Sequence, residues 1–287
     1  MVSKPLLFYD SGAGGLPYLK AVRDRLPGAR YVYLADRKNF PLGEKSAEVV
    51  RQVVLESVSL GMQRFDPCLI VIACNTASVI ALQTLRERIP VPLVGVVPAV
   101  KPAALSLKGG KLAVVSTRQT ATGPYLERLI QEFADGREVI KVPVADLVSF
   151  AEYDYPTAGT EQRLAAVRRE LAPLLEEEVR AVVLGCTHFV LLEKEFRTVL
   201  ADGIALIDSR EGVTNRVLSL LADRIVESGS TDAGSIEAGS TEAGSPSPGY
   251  AELYLNGGIG EEKRYRAFAD VFDLQYRGPL EEPPRGA

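Results

Sequence analysis

Residues 69–78 read LIVIACNTAS: an apolar run of strand composition passes directly into a thiol, an amide and a hydroxyl. Residues 182–189, VVLGCTHF, repeat the arrangement. The surroundings of the first run set the fold. Upstream, KPLLFYD reads as a strand ending at Asp10, followed by the glycine-rich turn SGAGG and a helix over LPYLKAVRDRL. RYVYLAD is a second strand, SAEVVRQVVLESVSLGMQRF a helix, CLIVIAC a third strand and SVIALQTLRERI its helix. Apolar runs that alternate with segments of helical period indicate a parallel sheet covered on both faces.

The alternation then restarts. VPLVGVV and KLAVVST read as strands, YLERLIQEFA as a helix, EVIKVPVAD as a strand, EQRLAAVRRELAPLLEEE as a helix and RAVVLGC as a strand, with VLLEKEFRTVL after it. The expectation is an α/β chain of two similar doubly wound parallel-sheet domains, 1–97 with 208–287 and 98–207, with the active site in the cleft between them. Ligands of open parallel sheets gather at the carboxyl ends of strands, where Asp10, Cys74 and Cys186 all fall. Residues 229–249, GSTDAGSIEAGSTEAGSPSPG, carry three near-copies of a pentapeptide and almost nothing apolar, which marks a flexible insert. AELYLNG and EEKRYRAFADVFDL beyond it read as a strand and a helix.

Composition narrows the function. The chain has 287 residues, 46% of them hydrophobic, and a formal net charge of −4, so it has material for a large core and no basic footprint for direct nucleic-acid binding. VPLVGVVPAV is too short for a membrane span and is broken by proline, and MVSKPLLFYD lacks the length of a signal peptide. Three cysteines cannot build a disulfide framework and fit reduced thiols in a cytosol. Cys68, inside FDPCLIVI, is expected in the core.

A cysteine that ends a strand and opens a helix sits near unpaired backbone N–H groups and a positive helix end, which favour thiolate over thiol. Either one alone reads by default as a small hydrophobe closing a buried strand. What changes the balance is the company: Asn75 and Thr76 follow Cys74, and Thr187 and His188, the one histidine of the chain, follow Cys186. A cysteine hydrolase needs one nucleophile, a dithiol redox enzyme keeps its pair closer, and a structural zinc wants four ligands. Removing a proton from one face of a carbon and returning one to the other needs two bases on opposite sides. Two thiols across a cleft fit that, with Asp10 and His188 as auxiliaries, one per side. GAGGLP has proline where a dinucleotide fingerprint needs glycine and no P-loop lysine, so its glycines are expected to bring backbone N–H groups to a carboxylate.

YDSGAGGLPYL, YLADRKNFPLGEKS, IACNTAS, VGVVPAVKPA and VLGCTHFVLL, in this order along most of the chain, resemble the motifs of the cofactor-independent glutamate racemases of the aspartate/glutamate racemase superfamily. LIDSREGV is a weaker match. The resemblance implies that Cys74 and Cys186 are the acid/base thiols, acting on the D- and L-enantiomer respectively, with Asp10 assisting Cys74 and His188 assisting Cys186. Glu152 in LVSFAE falls where the family has a further catalytic acid. Ser11, Asn75, Thr76 and Thr187 would hold the ammonium and carboxylates of glutamate, helped by backbone N–H groups of the Pro41-Leu42-Gly43 turn, with Thr117 and Thr120 matching a threonine-rich loop. No cofactor and no metal are implied. A bacterial cytoplasmic enzyme supplying D-glutamate for peptidoglycan is expected, possible as a homodimer; aspartate racemisation and a binding role on DNA gyrase are the alternatives. Leu42 and Phe189-Val190 depart from the tyrosine and the tyrosine-proline common in the family.

Overall fold

Leu6–Asp10, Tyr31–Ala35 and Leu69–Ile72 are buried at every residue, as strands covered on both faces must be. The computed structural model describes residues 4–107, 109–134, 136–175, 177–227 and 249–280. The expected insert at 229–249 lies, apart from Gly249, outside the described residues. The first half of the chain runs β1 (Leu6–Asp10), α1 (Leu16–Arg25), β2 (Tyr31–Ala35), α2 (Ala47–Phe65), β3 (Leu69–Ile72), α3 (Asn75–Arg88) and β4 (Leu93–Gly95). Next come α4 (Val100–Ser106), β5 (Lys111–Ser116), α5 (Arg118–Ala121), α6 (Pro124–Phe133), β6 (Val139–Pro143), α7 (Asp146–Tyr153) and α8 (Thr160–Leu175). The chain continues through β7 (Val179–Leu184), α9 (Thr187–Val190), α10 (Glu193–Val199), β8 (Ala205–Ile207), α11 (Arg210–Glu227), β9 (Ala251–Leu255), α12 (Glu262–Phe272) and β10 (Gln275–Pro279).

The strands form two sheets, one of six in the order β10-β9-β2-β1-β3-β4 and one of four in the order β6-β5-β7-β8. Every pairing in both is parallel. Without its two outer strands the first sheet reads β2-β1-β3-β4, and the second repeats that order strand for strand. In each the chain leaves a central strand toward one edge and returns on the other side, so the switch points lie between β1 and β3 and between β5 and β7. These are the crevices where doubly wound sheets hold their ligands.

Local sequence explains how the elements start and stop. Ser46 caps α2 by accepting from the Val49 N–H at 3.3 Å, and Asp66 ends it in the left-handed conformation. Pro17 sits in the first turn of α1, where its missing N–H costs no helical bond. VLLEKEFRTVL begins at the last residue of α9 and, after the buried Leu191 and Leu192, runs into α10. One expectation needs correction. Cys68 is half-buried rather than core: it lies just before β3 at the amino edge of the sheet, with its Sγ 3.5 Å from the Lys4 carbonyl.

Candidate active site

Cys74 follows β3 after one residue, Ala73, and stands at the N-cap of α3, and Cys186 follows β7 after one residue, Gly185, at the N-cap of α9. Both side chains border one cavity of about 400 Å³, within the range of small-molecule sites. Ser11, from the loop after β1, and Pro41, Leu42 and Gly43, from a turn after β2, line the first-sheet side along with Asn75 and Thr76. Thr117, which caps α5, lines the other side with Thr187 and His188. Three residues expected at the site stand behind the wall: Asp10, Glu152 and Thr120, each at most 1% exposed.

On the Cys74 side, Asp10 accepts from the Gly12 N–H at 2.8 Å and from the Thr187 hydroxyl at 3.0 Å. Burial pushes its carboxyl up to about 6, against the pull of the His188 charge. Burial also pushes the Cys74 thiol well above its ordinary range, and the Asp10 charge adds to it, while the Ala77 N–H in the first turn of α3 works the other way.

The Cys186 side is built differently. His188 Nδ1 lies 4.0 Å from the Cys186 Sγ, and its Nε2 lies 2.9 Å from Glu152 Oε2. The Ala13 N–H donates to the same Glu152 oxygen at 2.8 Å, while the Tyr265 hydroxyl donates to the other at 2.6 Å and Arg37 stands 3.2 Å away. Burial disfavours charge on both partners, yet the pairing prevails. The His188 hydrogen bond and charge, then Arg37, hold the Glu152 carboxyl down at about 2, and Cys186 and Glu152 raise His188 to about 10. The pair is an imidazolium–carboxylate at neutral pH.

The glycine turn lies against this pair. A Cβ on Gly12 would collide with the Glu152 carboxylate, and one on Gly14 would come within 2.5 Å of His188 Nδ1. The carboxylates that its N–H groups approach are those of Asp10 and Glu152, the protein's own.

Thr76, Thr117 and Thr120 form a triangle of hydroxyls 3.2 to 3.5 Å apart that joins the two halves of the wall. Asn75 is 2% exposed, and neither its amide nitrogen nor its amide oxygen has a hydrogen-bond partner in the protein. An amide so placed at a cavity wall is suited to a ligand that carries both donors and acceptors. Among the described residues no group of three or more His, Cys, Asp or Glu is placed to hold a metal ion, and no helix is long and apolar enough to cross a membrane.

Sequence reasoning missed several wall residues: Phe40, Glu44, Arg118, Gln119, Val148 and Ser149. The first two flank the PLG turn and the last two stand in LVSFAE, so proximity to a motif was the available signal. Arg37 lies within YLADRKNFPLGEKS, yet no local pattern assigns it or Tyr265 to the site, because their approach to Glu152 is purely tertiary. Of the departures from the family pattern, Leu42 lines the cavity, whereas Phe189 packs in the core beside Phe196 and Val190 is buried outside the wall.

Comparison with known proteins gives these features a context. Residues 18–215 match the family described as Asp/Glu/Hydantoin racemase. The chain is 41% identical over 233 residues to the glutamate racemase of Pectobacterium atrosepticum, which spans 80% of this chain and 81% of that protein. It is 42% identical over 229 residues to the glutamate racemase of Klebsiella pneumoniae, over 79% and 80% of the two chains. The crystal structure of Escherichia coli glutamate racemase in complex with L-glutamate and the activator UDP-MurNAc-ala superposes with a TM-score of 0.81, at 32% identity, over 96% of this chain and 98% of that one. The chain belongs to the Asp/Glu/Hydantoin racemase family, beside these glutamate racemases, and is an amino-acid racemase.

Proposed function

We propose that the chain interconverts L- and D-glutamate with Cys74 and Cys186 as the two bases. The observation that carries the reading is that the two thiols, at equivalent positions of two equivalent sheets, border one cavity. In the L-to-D direction the Cys186 thiolate takes the α-proton and becomes a thiol, while the Cys74 thiol gives its proton to the opposite face and becomes a thiolate. The D-to-L direction runs the same transfers in reverse. His188 assists Cys186, its Nδ1 4.0 Å from the sulfur, and Asp10 assists Cys74.

The α-hydrogen of an amino acid is a weak acid, so charge developing on the α-carboxylate must be met by fixed donors. The Asn75 amide and the hydroxyls of Ser11, Thr76, Thr117 and Thr187 supply them, with backbone N–H groups of the Leu42-Gly43 turn and with Thr120 bracing the threonines. Glutamate is favoured over aspartate by the names of the relatives above and by the L-glutamate in the Escherichia coli complex. Domains of 1–97 with 208–287 and 98–207, a cytoplasmic setting and supply of D-glutamate to peptidoglycan accompany this reading.

The test is to incubate the protein separately with L- and D-glutamate in D₂O, following α-proton loss by NMR and handedness by circular dichroism. Convergence of both enantiomers on the racemate with deuterium incorporated, and with aspartate far slower, is the expected result. A folded sample that exchanges neither α-proton overturns the proposal.

A further inference from the structure

Glu152 belongs to the element that follows the second sheet's edge strand, yet three of the groups that hold it come from elements around the first sheet. The Ala13 N–H lies in the glycine turn after β1, Arg37 in the 3-10 turn after β2, and Tyr265 in α12. Arg37 is itself held. Its Nε and Nη2 reach the two oxygens of Glu261 at 2.5 and 3.0 Å, and Nη2 also donates to the Tyr153 hydroxyl at 3.2 Å. Its guanidinium carbon lies 4.2 Å from the Phe40 ring centroid. The Arg37 side chain is 2% exposed and held through Nε and Nη2, while Nη1, with no hydrogen-bond partner of its own, faces Glu152 Oε1 as an ion pair at 3.2 Å.

Neither Arg37 nor Tyr265 borders the cavity. Their reach into the chemistry runs through Glu152 Oε1, then Oε2, then His188 Nε2, and from Nδ1 to the Cys186 thiol. Asp10 has no comparable clamp: its partners are the Gly12 N–H and the hydroxyls of Ser11 and Thr187. The support behind the two thiols is unequal, and the difference is made by these two residues. We propose that Arg37 and Tyr265 are positioning residues for proton transfer at Cys186, clamping the Glu152 carboxylate that orients the His188 imidazole.

The inference rests on the two-base reading above, and kinetics can separate the two. Because the enantiomers of glutamate are equal in energy, kcat/KM is the same in both directions whichever thiol is impaired. Isotope effects are not so constrained. α-Deuterated L-glutamate reports the Cys186 transfer and α-deuterated D-glutamate the Cys74 transfer. Loosening the clamp slows the first alone, so the isotope effect on kcat/KM rises for L-glutamate and falls for D-glutamate.

The experiment compares wild type with Tyr265→Phe, which removes one hydroxyl at constant shape, with Arg37→Gln, and with Arg37→Lys, which keeps the charge and loses the fork. Expected is a fall in kcat/KM on the order of tenfold, as for loss of a hydrogen-bonding partner behind a reactive group, carried by kcat, with the opposed isotope shifts and partial recovery in Arg37→Lys. If Arg37→Gln does not fold, Tyr265→Phe carries the test alone. A loss of activity that leaves both isotope effects unchanged makes the residues merely structural and overturns the proposal, as does a shift confined to D-glutamate. If Cys186→Ser racemises like wild type, it is the two-base reading that falls.

Discussion

Cys74 and Cys186 hold the same backbone conformation, φ −138° and ψ 123° for the first and φ −137° and ψ 135° for the second, each capping a helix at the carboxyl end of a parallel strand. The match follows from the repeated order β2-β1-β3-β4 and β6-β5-β7-β8, which gives both cysteines the same place beside a switch point. Symmetry ends at the thiols. Behind Cys74 stands a carboxyl that burial pushes toward neutrality, and behind Cys186 an imidazolium locked to a carboxylate. One scaffold thus presents two thiols in like geometry with unlike electrostatics.

Replacing either thiol by a hydroxyl removes a base without changing the shape of the wall. Cys74→Ser and Cys186→Ser are each expected to lose on the order of 10²–10⁴-fold in racemisation, the usual worth of a positioned acid/base group. Cys68→Ser, at the far edge of the sheet, is expected to keep wild-type rates. Comparable turnover in either of the first two variants, measured by circular dichroism, would sink the two-base account.

Asn75 lines the cavity, and both polar atoms of its amide are buried without a hydrogen-bond partner in the protein. Asn75→Ala is therefore expected to leave Tm unchanged or slightly higher while weakening glutamate binding by about tenfold or more, the effect of losing one to two hydrogen bonds to a charged ligand. Calorimetric titration and thermal unfolding on the same sample check both halves. A variant that binds as wild type would show that the amide faces no ligand.

Much of this was legible because buried parallel strands read as unbroken apolar runs and helices as periodic ones, which gave β1 through β3, β5 through β7 and the paired cysteines. The elements that stayed hidden have physical reasons. β8 is three half-buried residues, too short to show a period. β10, QYRGP, is an edge strand whose glycine and proline read as a turn. α11 was visible only at its first turn, within LIDSREGV. Eight of the site residues adjoin motifs that sequence can flag, namely Asp10, Ser11, Cys74, Asn75, Thr76, Cys186, Thr187 and His188. The clamp on Glu152 joins residues 13, 37 and 265, and no local pattern records that meeting.

Asp36 is fully buried and accepts from the Tyr9 and Ser57 hydroxyls at 2.9 and 2.7 Å and from the Asn39 and Asn256 amides at 2.9 and 2.8 Å. Four elements meet at one carboxylate, and Asn256 directly follows β9, so this group fastens the strand that returns the chain to the first sheet. Asp36→Ala would strand four donors and is expected to cost about 3 kcal/mol or more, read from urea unfolding. A loss within about 1 kcal/mol, the range of a single ordinary hydrogen bond, would show that the network does not staple the sheet.

The acid–base groups also set how stability varies with pH. His188 is raised from 6.5 to about 10, so the stability it contributes is fully present below 6.5 and is lost as pH rises through about 10. Glu152, lowered to about 2, contributes above its ordinary 4.5 and loses this only as pH falls through about 2. Asp10 has the opposite sign: raised from 3.8 to about 6, it binds a proton more readily folded than unfolded, and so it weakens the fold as pH climbs across that interval. Thermal unfolding from pH 4 to 10 should therefore show Asp10→Asn gaining on wild type between about pH 4 and 6 and keeping the gain above it, although activity is lost. His188→Gln should lack the decline that wild type shows between about pH 7 and 10. Parallel wild-type and His188→Gln curves across that upper interval would mean that the imidazole is not held charged by Glu152, and the electrical difference between the two thiols would disappear with it.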